Sequence, residues 1–118
     1  MNVFIVENSA IILKNLSSML SDMPGVAVIG HAADEAGAIE RINALRPDVV
    51  TLDLRLQSGS GLGVLKNIKK HHAGIKIMIL TNRIEKAYVN HYKCAGADYV
   101  FDKTNQLTQF LEALQKCA

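Results

Sequence analysis

Several polar residues in this sequence directly follow short apolar runs and are of types that can do chemistry together. Asp53 ends one such run, where a carboxylate is costly to desolvate unless a cation or a hydrogen-bond donor lies nearby. Glu7 and Asn8 follow an earlier run, and Thr81 and Lys103 follow two later ones. Together they offer a carboxylate that can act as a nucleophile or metal ligand, oxygen atoms suited to Mg²⁺, a hydroxyl group and an ammonium group.

Each of these residues also has an ordinary structural interpretation when it is taken alone. Asp53 fits a solvated aspartate in a turn, and Asn8 fits the N-cap of a helix. Thr81 fits the end of any strand, and Lys103 fits a solvated surface lysine. The functional interpretation therefore depends on whether the fold brings all of them to one place.

The elements that must position them follow from the hydrophobic pattern. Five apolar runs predict five strands: Val3–Val6, Val26–Ile29, Val49–Leu52, Ile75–Leu80 and Tyr99–Phe101. Segments with helical spacing separate the runs, and near-continuous apolar strands that alternate with helices indicate a parallel sheet covered on both faces. We therefore predict a doubly wound α/β domain with five helices. Its site should lie beyond the carboxyl ends of the strands.

The helical spacing also predicts which side chains face the core and where the helices begin. The predicted core stripes are Ile12, Leu16, Met19 and Met23; Ala38, Ile42 and Leu45; Leu62, Leu65 and Ile68; Ile84, Tyr88, His91 and Ala95; and Leu107, Phe110, Leu111 and Leu114. Asn8 or Ser9, Asp34 and Thr104 are the predicted N-caps. Gly30 and Gly96 are predicted to lie in turns that follow a strand and a helix.

Composition narrows the classes of protein. The chain has 118 residues and a net charge of +2, which predicts a single domain over residues 1–118 and gives no reason to expect nucleic-acid binding. No stretch approaches the roughly 20 apolar residues of a membrane span. Cys94 and Cys117 lack the spacing of a metal or redox motif. The four histidines include no pair at the i, i+4 spacing of a helical metal site. These features predict a cytoplasmic protein.

The order and spacing of the polar residues resemble the receiver domain of two-component response regulators. That family has acidic residues after the first strand, a phosphoacceptor Asp after the third, Thr or Ser after the fourth and Lys after the fifth. The matching residues are Glu7-Asn8, Asp53, Thr81 and Lys103, and further matches are Pro47–Asp53, Ser60-Gly61-Leu62 and Ala95–Tyr99. The resemblance covers essentially the whole chain and implies the flavodoxin-like strand order 2-1-3-4-5.

The resemblance also implies an activity and partners. Asp53 would accept a phosphoryl group from a sensor histidine kinase or a phosphotransfer protein, and Thr81 and Lys103 would stabilise that group. Mg²⁺ would be held by Glu7, Asn8, Asp53 and the backbone carbonyl of Arg55. The domain would promote its own phosphorylation and dephosphorylation without being an enzyme.

In this family the phosphorylated domain signals through the face of the fourth helix, fifth strand and fifth helix, here residues 83–117. This face would contact a downstream protein partner or an output domain. No direct contact with nucleic acid or membrane is expected. A homodimer through the same face is a habit of the family that the sequence leaves open.

The sequence departs from the family pattern at several positions. Asn8 stands where a second carboxylate is usual, so we expect weaker Mg²⁺ binding. Val100 replaces the aromatic switch residue, and by strand alternation its neighbours Tyr99 and Phe101 should face the opposite side of the sheet. Gln57 and Thr104 replace two frequent prolines.

Two alternative functions remain. The first is a receiver-like module that binds its partner without phosphorylation, which Asn8 favours. The second is a flavin-binding flavodoxin-like protein, but the segment Glu7–Ala10 lacks the Ser/Thr/Gly-rich phosphate loop that such a protein needs, and Glu7 would repel the phosphate.

Overall fold

The five predicted strands form one parallel sheet in a computed structural model that describes residues 1–82 and 86–118. The strands are β1 (Asn2–Val6), β2 (Ala27–Ala32), β3 (Val49–Leu52), β4 (Lys76–Thr81) and β5 (Tyr99–Asp102). Their order across the sheet is β2-β1-β3-β4-β5, and every neighbouring pair is parallel. The predicted doubly wound topology is therefore confirmed. The direction in which successive strands are added to the sheet reverses between β1 and β3, which lie next to each other.

Five helices cover the two faces of the sheet. They are α1 (Ala10–Ser21), α2 (Glu35–Leu45), α3 (Gly61–His71), α4 (Lys86–Cys94) and α5 (Leu107–Cys117). Helices α1 and α5 pack on one face, and α2, α3 and α4 pack on the other. No helix in the described ranges is long and apolar enough to cross a membrane.

The alternating side chains of each strand divide the core into two layers. On the α2/α3/α4 side, Phe4, Val50 and Ile77 pack against helix residues such as Ile42 and Leu65. On the α1/α5 side the buried residues are Val3, Ile5, Val49, Met78 and Leu80 from the strands and Leu16, Leu20, Phe110 and Leu114 from the helices. Apart from the exposed Asn2 at the start of β1 and the buried Thr51 in β3, these two strands carry only apolar side chains until the chain leaves the sheet at Glu7 and Asp53.

Two of the predicted helix starts are confirmed, and one is wrong. Ser9 Oγ accepts a hydrogen bond from the Ile12 N–H, and Asp34 Oδ1 accepts one from the Gly37 N–H. Thr104 does not cap α5, which begins three residues later at Leu107. The reason is that the Asp102 carboxylate accepts hydrogen bonds from the N–H groups of Thr104 and the following residue, which makes a turn there.

The two glycines predicted to lie in turns differ in their roles. Gly96 follows α4 with a φ of 120°, as expected for a glycine that ends a helix. Gly30 instead lies inside β2, opposite Phe4, where the register of β1 and β2 shifts. A Cβ atom at residue 30 would come within 3.0 Å of the Phe4 ring and 3.1 Å of Leu45. Gly30 is therefore required by close packing rather than by a turn.

The predicted core stripe is wrong in part of α4. Tyr88 is 53% exposed and His91 is also exposed, whereas Tyr92 and Ala95 pack against the core. Ile84 lies outside the described residues. At the end of α2, Leu45 is 43% exposed although its periodicity places it with Ala38 and Ile42. Leu45 is the last residue of α2, whereas Tyr88 lies in the first turn of α4.

Gly61 has no room for a side chain, because α3 begins directly against the segment that follows β3. A Cβ atom at residue 61 would overlap the carbonyl oxygen of Asp53 and lie 2.7 Å from the Cα atom of Leu54. These are backbone atoms, so the clash cannot be relieved by turning a side chain. The Gly61 N–H donates to the Leu54 carbonyl at 3.0 Å, which holds the two segments together.

We expect Gly61→Ala to lower the free energy of unfolding by about 1–3 kcal/mol, because the backbone at Asp53 must move to admit the methyl group. Gly74→Ala is the matched control, since a Cβ atom at residue 74 meets nothing within 4 Å. We expect that variant to stay within about 0.5 kcal/mol of the wild type. Urea denaturation of the three proteins checks the difference, and equal stabilities would contradict the close approach at Gly61.

Candidate functional site

The candidate site lies at the carboxyl-terminal edge of the sheet, where four strands end. Backbone hydrogen bonds continue the parallel pairing just past the strands and align these ends. The Glu7 N–H donates to the Ala32 carbonyl, and the Asp53 N–H donates to the Val6 carbonyl. The Lys103 N–H donates to the Thr81 carbonyl at 2.9 Å. The sheet therefore brings together side chains that are up to 96 residues apart in a chain of 118.

The Lys103 ammonium group bridges the two buried carboxylates. Its Nζ atom lies 2.5 Å from Glu7 Oε1 and 3.0 Å from Asp53 Oδ2. The side chains are 9%, 2% and 9% exposed for Lys103, Glu7 and Asp53, respectively. Because one cation faces two anions, the buried cluster carries an excess of one negative charge when all three groups are ionised.

The second oxygen of each carboxylate is held by a different group. Asp53 Oδ1 accepts a hydrogen bond from the Thr81 hydroxyl at 3.3 Å and one from the Arg55 N–H at 3.3 Å. Glu7 Oε2 accepts from the Ser9 N–H at 3.0 Å. Both carboxylates are therefore held in a set orientation.

The six residues predicted for the site all line one pocket of about 310 Å³. They are Glu7, Asn8, Asp53, Arg55, Thr81 and Lys103. The pocket opens to solvent on the side of Asn8 and Arg55, which are exposed, whereas Glu7, Asp53 and Thr81 lie at its buried floor. A reactant that enters from solvent would thus meet the Asp53 carboxylate at the bottom.

Three further residues line the pocket without having been predicted for the site. Ser9 supplies the N–H that holds Glu7, and Ile12 and Asn82 complete the wall. Ser9 was expected only as a helix cap, and it performs that role as well. Its position two residues after Glu7, at the start of a predicted helix, was a usable signal, since the first N–H groups of a helix are free to bind carboxylates.

Burial raises the pKa of Glu7 above its ordinary value of 4.5, and the nearby negative charge of Asp53 adds to this effect. The hydrogen bonds from Lys103 and Ser9 act in the opposite direction but do not cancel it. Glu7 therefore binds a proton more tightly in the folded protein than in the unfolded chain.

A larger depression of about 600 Å³ lies at the other end of the sheet but lacks a comparable constellation. Its charged side chains include Arg46, Asp48 and Lys76. Arg46 is the C-cap residue of α2, where its positive charge offsets the dipoles of the last carbonyl groups. The cluster of buried charged groups therefore lies in the smaller pocket.

Glu7 makes the stability of the metal-free protein fall as pH rises. Because its pKa is raised on folding, its favourable contribution is complete below the unfolded value of about 4.5 and is lost as pH rises through the folded value. In Glu7→Gln this loss cannot occur. We therefore expect the stability of the variant relative to the wild type to increase between pH 4 and pH 7.

Chemical denaturation over that pH range, with a chelator present, measures this difference. Glu112→Gln is the control for the loss of one negative charge, because Glu112 is exposed on α5. A difference between Glu7→Gln and the wild type that does not change with pH would contradict the raised pKa.

Comparison with known proteins identifies the family. The model of the response regulator receiver domain matches residues 3–115. A protein-glutamate methylesterase/protein-glutamine glutaminase of Geobacillus kaustophilus is 40% identical over 85 residues, which cover 72% of this chain and 24% of that protein. The response regulator protein VraR of Staphylococcus saprophyticus is 29% identical over 114 residues, which cover 97% of this chain and 54% of that protein. The chain thus spans between a quarter and about half of the length of these curated relatives.

Solved structures agree. The signal receiver domain of the putative response regulator NarL from Mycobacterium tuberculosis is 26% identical, with a TM-score of 0.88 and coverage of 98% of this chain and 94% of that one. The response regulator domain of Thermotoga maritima CheB shares the fold, with a TM-score of 0.89, 24% identity and coverage of 100% and 95%. The match to the family model over nearly all of its length shows that this chain belongs to the response regulator receiver domain family.

Proposed function

We propose that this receiver domain accepts a phosphoryl group on Asp53 from a sensor histidine kinase or a phosphotransfer protein. The observation that carries the proposal is the environment of the Asp53 carboxylate, which lies at the floor of an open pocket between the Lys103 ammonium and the Thr81 hydroxyl. A solvated structural aspartate would not need a buried cation 3.0 Å away. Membership of the family supports the same role.

The proposed transfer is a nucleophilic substitution at phosphorus. An oxygen of the Asp53 carboxylate forms a bond to the phosphorus atom while the bond to the donor imidazole nitrogen breaks, and the bonding electron pair stays on that nitrogen. The product is an aspartyl phosphate. Because an ionised carboxylate is already a nucleophile, the transfer needs no general base.

Lys103 and Thr81 would act on the charge of the transferred group. An ammonium group and a hydroxyl group that already lie beside the Asp53 oxygens can move their hydrogen bonds to the phosphoryl oxygens without a large rearrangement. Release of Asp53 from Lys103 leaves Glu7 to hold the ammonium group in place. The same groups would later assist hydrolysis, so the domain promotes its own phosphorylation and dephosphorylation without turning over an external substrate.

The donor set at the pocket fits Mg²⁺. Among the described residues, the two buried carboxylates share the Lys103 ammonium group, which leaves a negative excess when all three are ionised. Mg²⁺ typically takes one or two carboxylates and fills its other positions with water and phosphate oxygens. The described residues hold no group of three or more His, Cys, Asp or Glu side chains that could bind a metal on their own. Glu7, Asp53, the Asn8 amide oxygen and the Arg55 carbonyl would hold the ion. When bound, it would supply positive charge to the phosphoryl oxygens.

The signal would leave through the face formed by α4, β5 and α5, where it would reach a downstream protein or an output domain. Residues 83–85 of the expected face lie outside the described residues. On β5, Val100 packs on the α4 side, whereas Tyr99 and Phe101 stack on the α5 side with ring centroids 5.7 Å apart. An aromatic side chain that turns towards α4 is therefore not part of the proposed mechanism.

A module that binds its partner without phosphorylation is the second candidate. Asn8 favours it, because the exposed rim of the pocket has an uncharged amide where a further carboxylate would attract Mg²⁺. The two candidates differ in one observable property, which is whether Asp53 takes up a phosphoryl group.

Incubation with Mg²⁺ and a small-molecule phosphodonor should increase the intact mass by one phosphoryl group. The increase should be absent in Asp53→Asn and should fall by at least about tenfold in rate when a chelator removes the metal. Intact-mass spectrometry over a time course measures all three samples. No increase in the wild type at high concentrations of metal and donor would favour the phosphorylation-independent module.

Asn8→Asp should raise the affinity for Mg²⁺ by about tenfold, because a third carboxylate at the pocket adds a charged oxygen ligand. The rate of phosphorylation at low Mg²⁺ should rise with it. Titration calorimetry measures the affinity. Asn15→Asp controls for the added negative charge, because Asn15 is an exposed residue within α1. An unchanged affinity in Asn8→Asp would exclude residue 8 from the metal site.

A further inference from the structure

The N-terminus of α3 is capped by residues from two different helices. Ser60 is the N-cap residue, and its Oγ atom accepts a hydrogen bond from the Gly63 N–H at 3.1 Å. In a capping box, a Glu or Gln at the position of Gly63 would accept a hydrogen bond from the N-cap N–H in return. Here residue 63 has no side chain, and the Ser60 N–H donates instead to Glu35 Oε1 of α2 at 2.8 Å.

The two glycines beside Ser60 provide the space that the Glu35 side chain occupies. A Cβ atom at residue 63 would lie 2.5 Å from the Glu35 carboxylate carbon. A Cβ atom at residue 59 would lie 2.5 Å from the Glu35 Cβ atom, and Gly59 also has a φ of 76° that side chains disfavour. The glycines on either side of Ser60 thus leave room for a carboxylate from another helix.

The Glu35 charge also suits this position. α3 has no acidic residue in its first turn, although the free N–H groups there favour a negative charge. Glu35 lies in the first turn of α2 and reaches the first turn of α3. One carboxylate therefore serves the N-terminal ends of both helices.

The capped residue is connected directly to the candidate site. Ser60 pairs with Arg55 across an isolated antiparallel bridge, and the Arg55 N–H donates to Asp53 Oδ1 at 3.3 Å. Between them, the Gln57 N–H donates to the Ala33 carbonyl and the Glu35 N–H donates to the Ser58 carbonyl, each at 3.0 Å. The second half of the segment 54–60 is thus hydrogen-bonded to the start of α2, and the Glu35 side chain holds its last residue.

We propose that Glu35 is a positioning residue of the receiver site. Glu35 supplies, from a neighbouring helix of the same chain, the carboxylate that residue 63 lacks. It thereby holds Ser60 and, through the bridge between Ser60 and Arg55, the Arg55 backbone that is expected to bind Mg²⁺. This inference rests on the proposed function for its effect on the metal, but its effect on the segment 54–60 is independent of that function.

Four variants test the proposal. Glu35→Ala removes the acceptor, Glu35→Gln keeps an oxygen acceptor without charge, and Glu35→Ala/Gly63→Glu places a capping carboxylate within α3. Glu40→Ala is the control, because Glu40 is an exposed acid on the same helix. Amide hydrogen exchange at Ser60 and Arg55 reports the positioning, and calorimetric titration reports the affinity for Mg²⁺ at a temperature where every variant is folded.

Glu35→Ala should speed exchange at Ser60 by about tenfold, since its hydrogen bond to a charged group is lost. Exchange at Arg55 should also become faster, because Ser60 would no longer hold the bridge to Arg55 in place. The same variant should weaken Mg²⁺ binding by about tenfold or more, as is typical when a group that orients a metal ligand is removed. Glu35→Gln, which keeps the acceptor but loses the charge, should fall between Glu35→Ala and the wild type. Glu40→Ala should stay within about twofold of the wild type, and the double variant should recover most of the loss.

Unchanged exchange at Arg55 in Glu35→Ala would overturn the proposal, and so would a lack of recovery in the double variant. Equal weakening of Mg²⁺ binding by Glu35→Gln and Glu35→Ala would also overturn it, because the charge of Glu35 would then act on the metal from a distance. If the wild type itself binds no Mg²⁺, it is the proposed function that fails. Exchange at Arg55 and its recovery in the double variant then decide by themselves whether Glu35 positions the segment.

Discussion

The site depends on one ion cluster, in which the Lys103 ammonium group lies between the carboxylates of Glu7 and Asp53. These three residues come from the ends of three different strands, so the contact joins β1, β3 and β5 at one edge of the sheet. Two buried anions with one cation are costly to keep out of water. Under the proposed function, Mg²⁺ and a phosphoryl group on Asp53 would restore the balance of charge there.

The buried strands determine which residues form this cluster. β1 and β3 are buried on both faces, and each delivers its first carboxylate at the point where it leaves the core. The helices then hold the segments that follow the strands. Ser9 at the start of α1 fixes Glu7, and Gly61 at the start of α3 lies against the Asp53 backbone. The geometry of the site therefore depends on residues at the N-termini of helices as well as on the strands.

Sequence periodicity predicted the strands and their approximate positions because buried parallel strands are nearly continuous apolar runs, which few other elements imitate. It was less successful at helix ends. The start of α5 was misplaced because the Asp102 carboxylate bonds the backbone of Thr104, and Gly30 was misassigned because its contact with Phe4 crosses between two strands. Such interactions are not encoded in the spacing of apolar residues.

The sequence by itself determined which residues end the strands, and therefore that Glu7, Asp53, Thr81 and Lys103 would share one edge of a parallel sheet. Only the tertiary structure decided which of these side chains form ion pairs. Whether Lys103 can contact both carboxylates depends on the distances between the ends of separate strands. The tertiary structure alone also revealed the capping of α3 by Glu35, since residues 35 and 60 are neighbours only after α2 and α3 pack side by side. The spacing of apolar residues depends on which side chains each segment buries. Contacts between side chains of different segments depend on how those segments pack together.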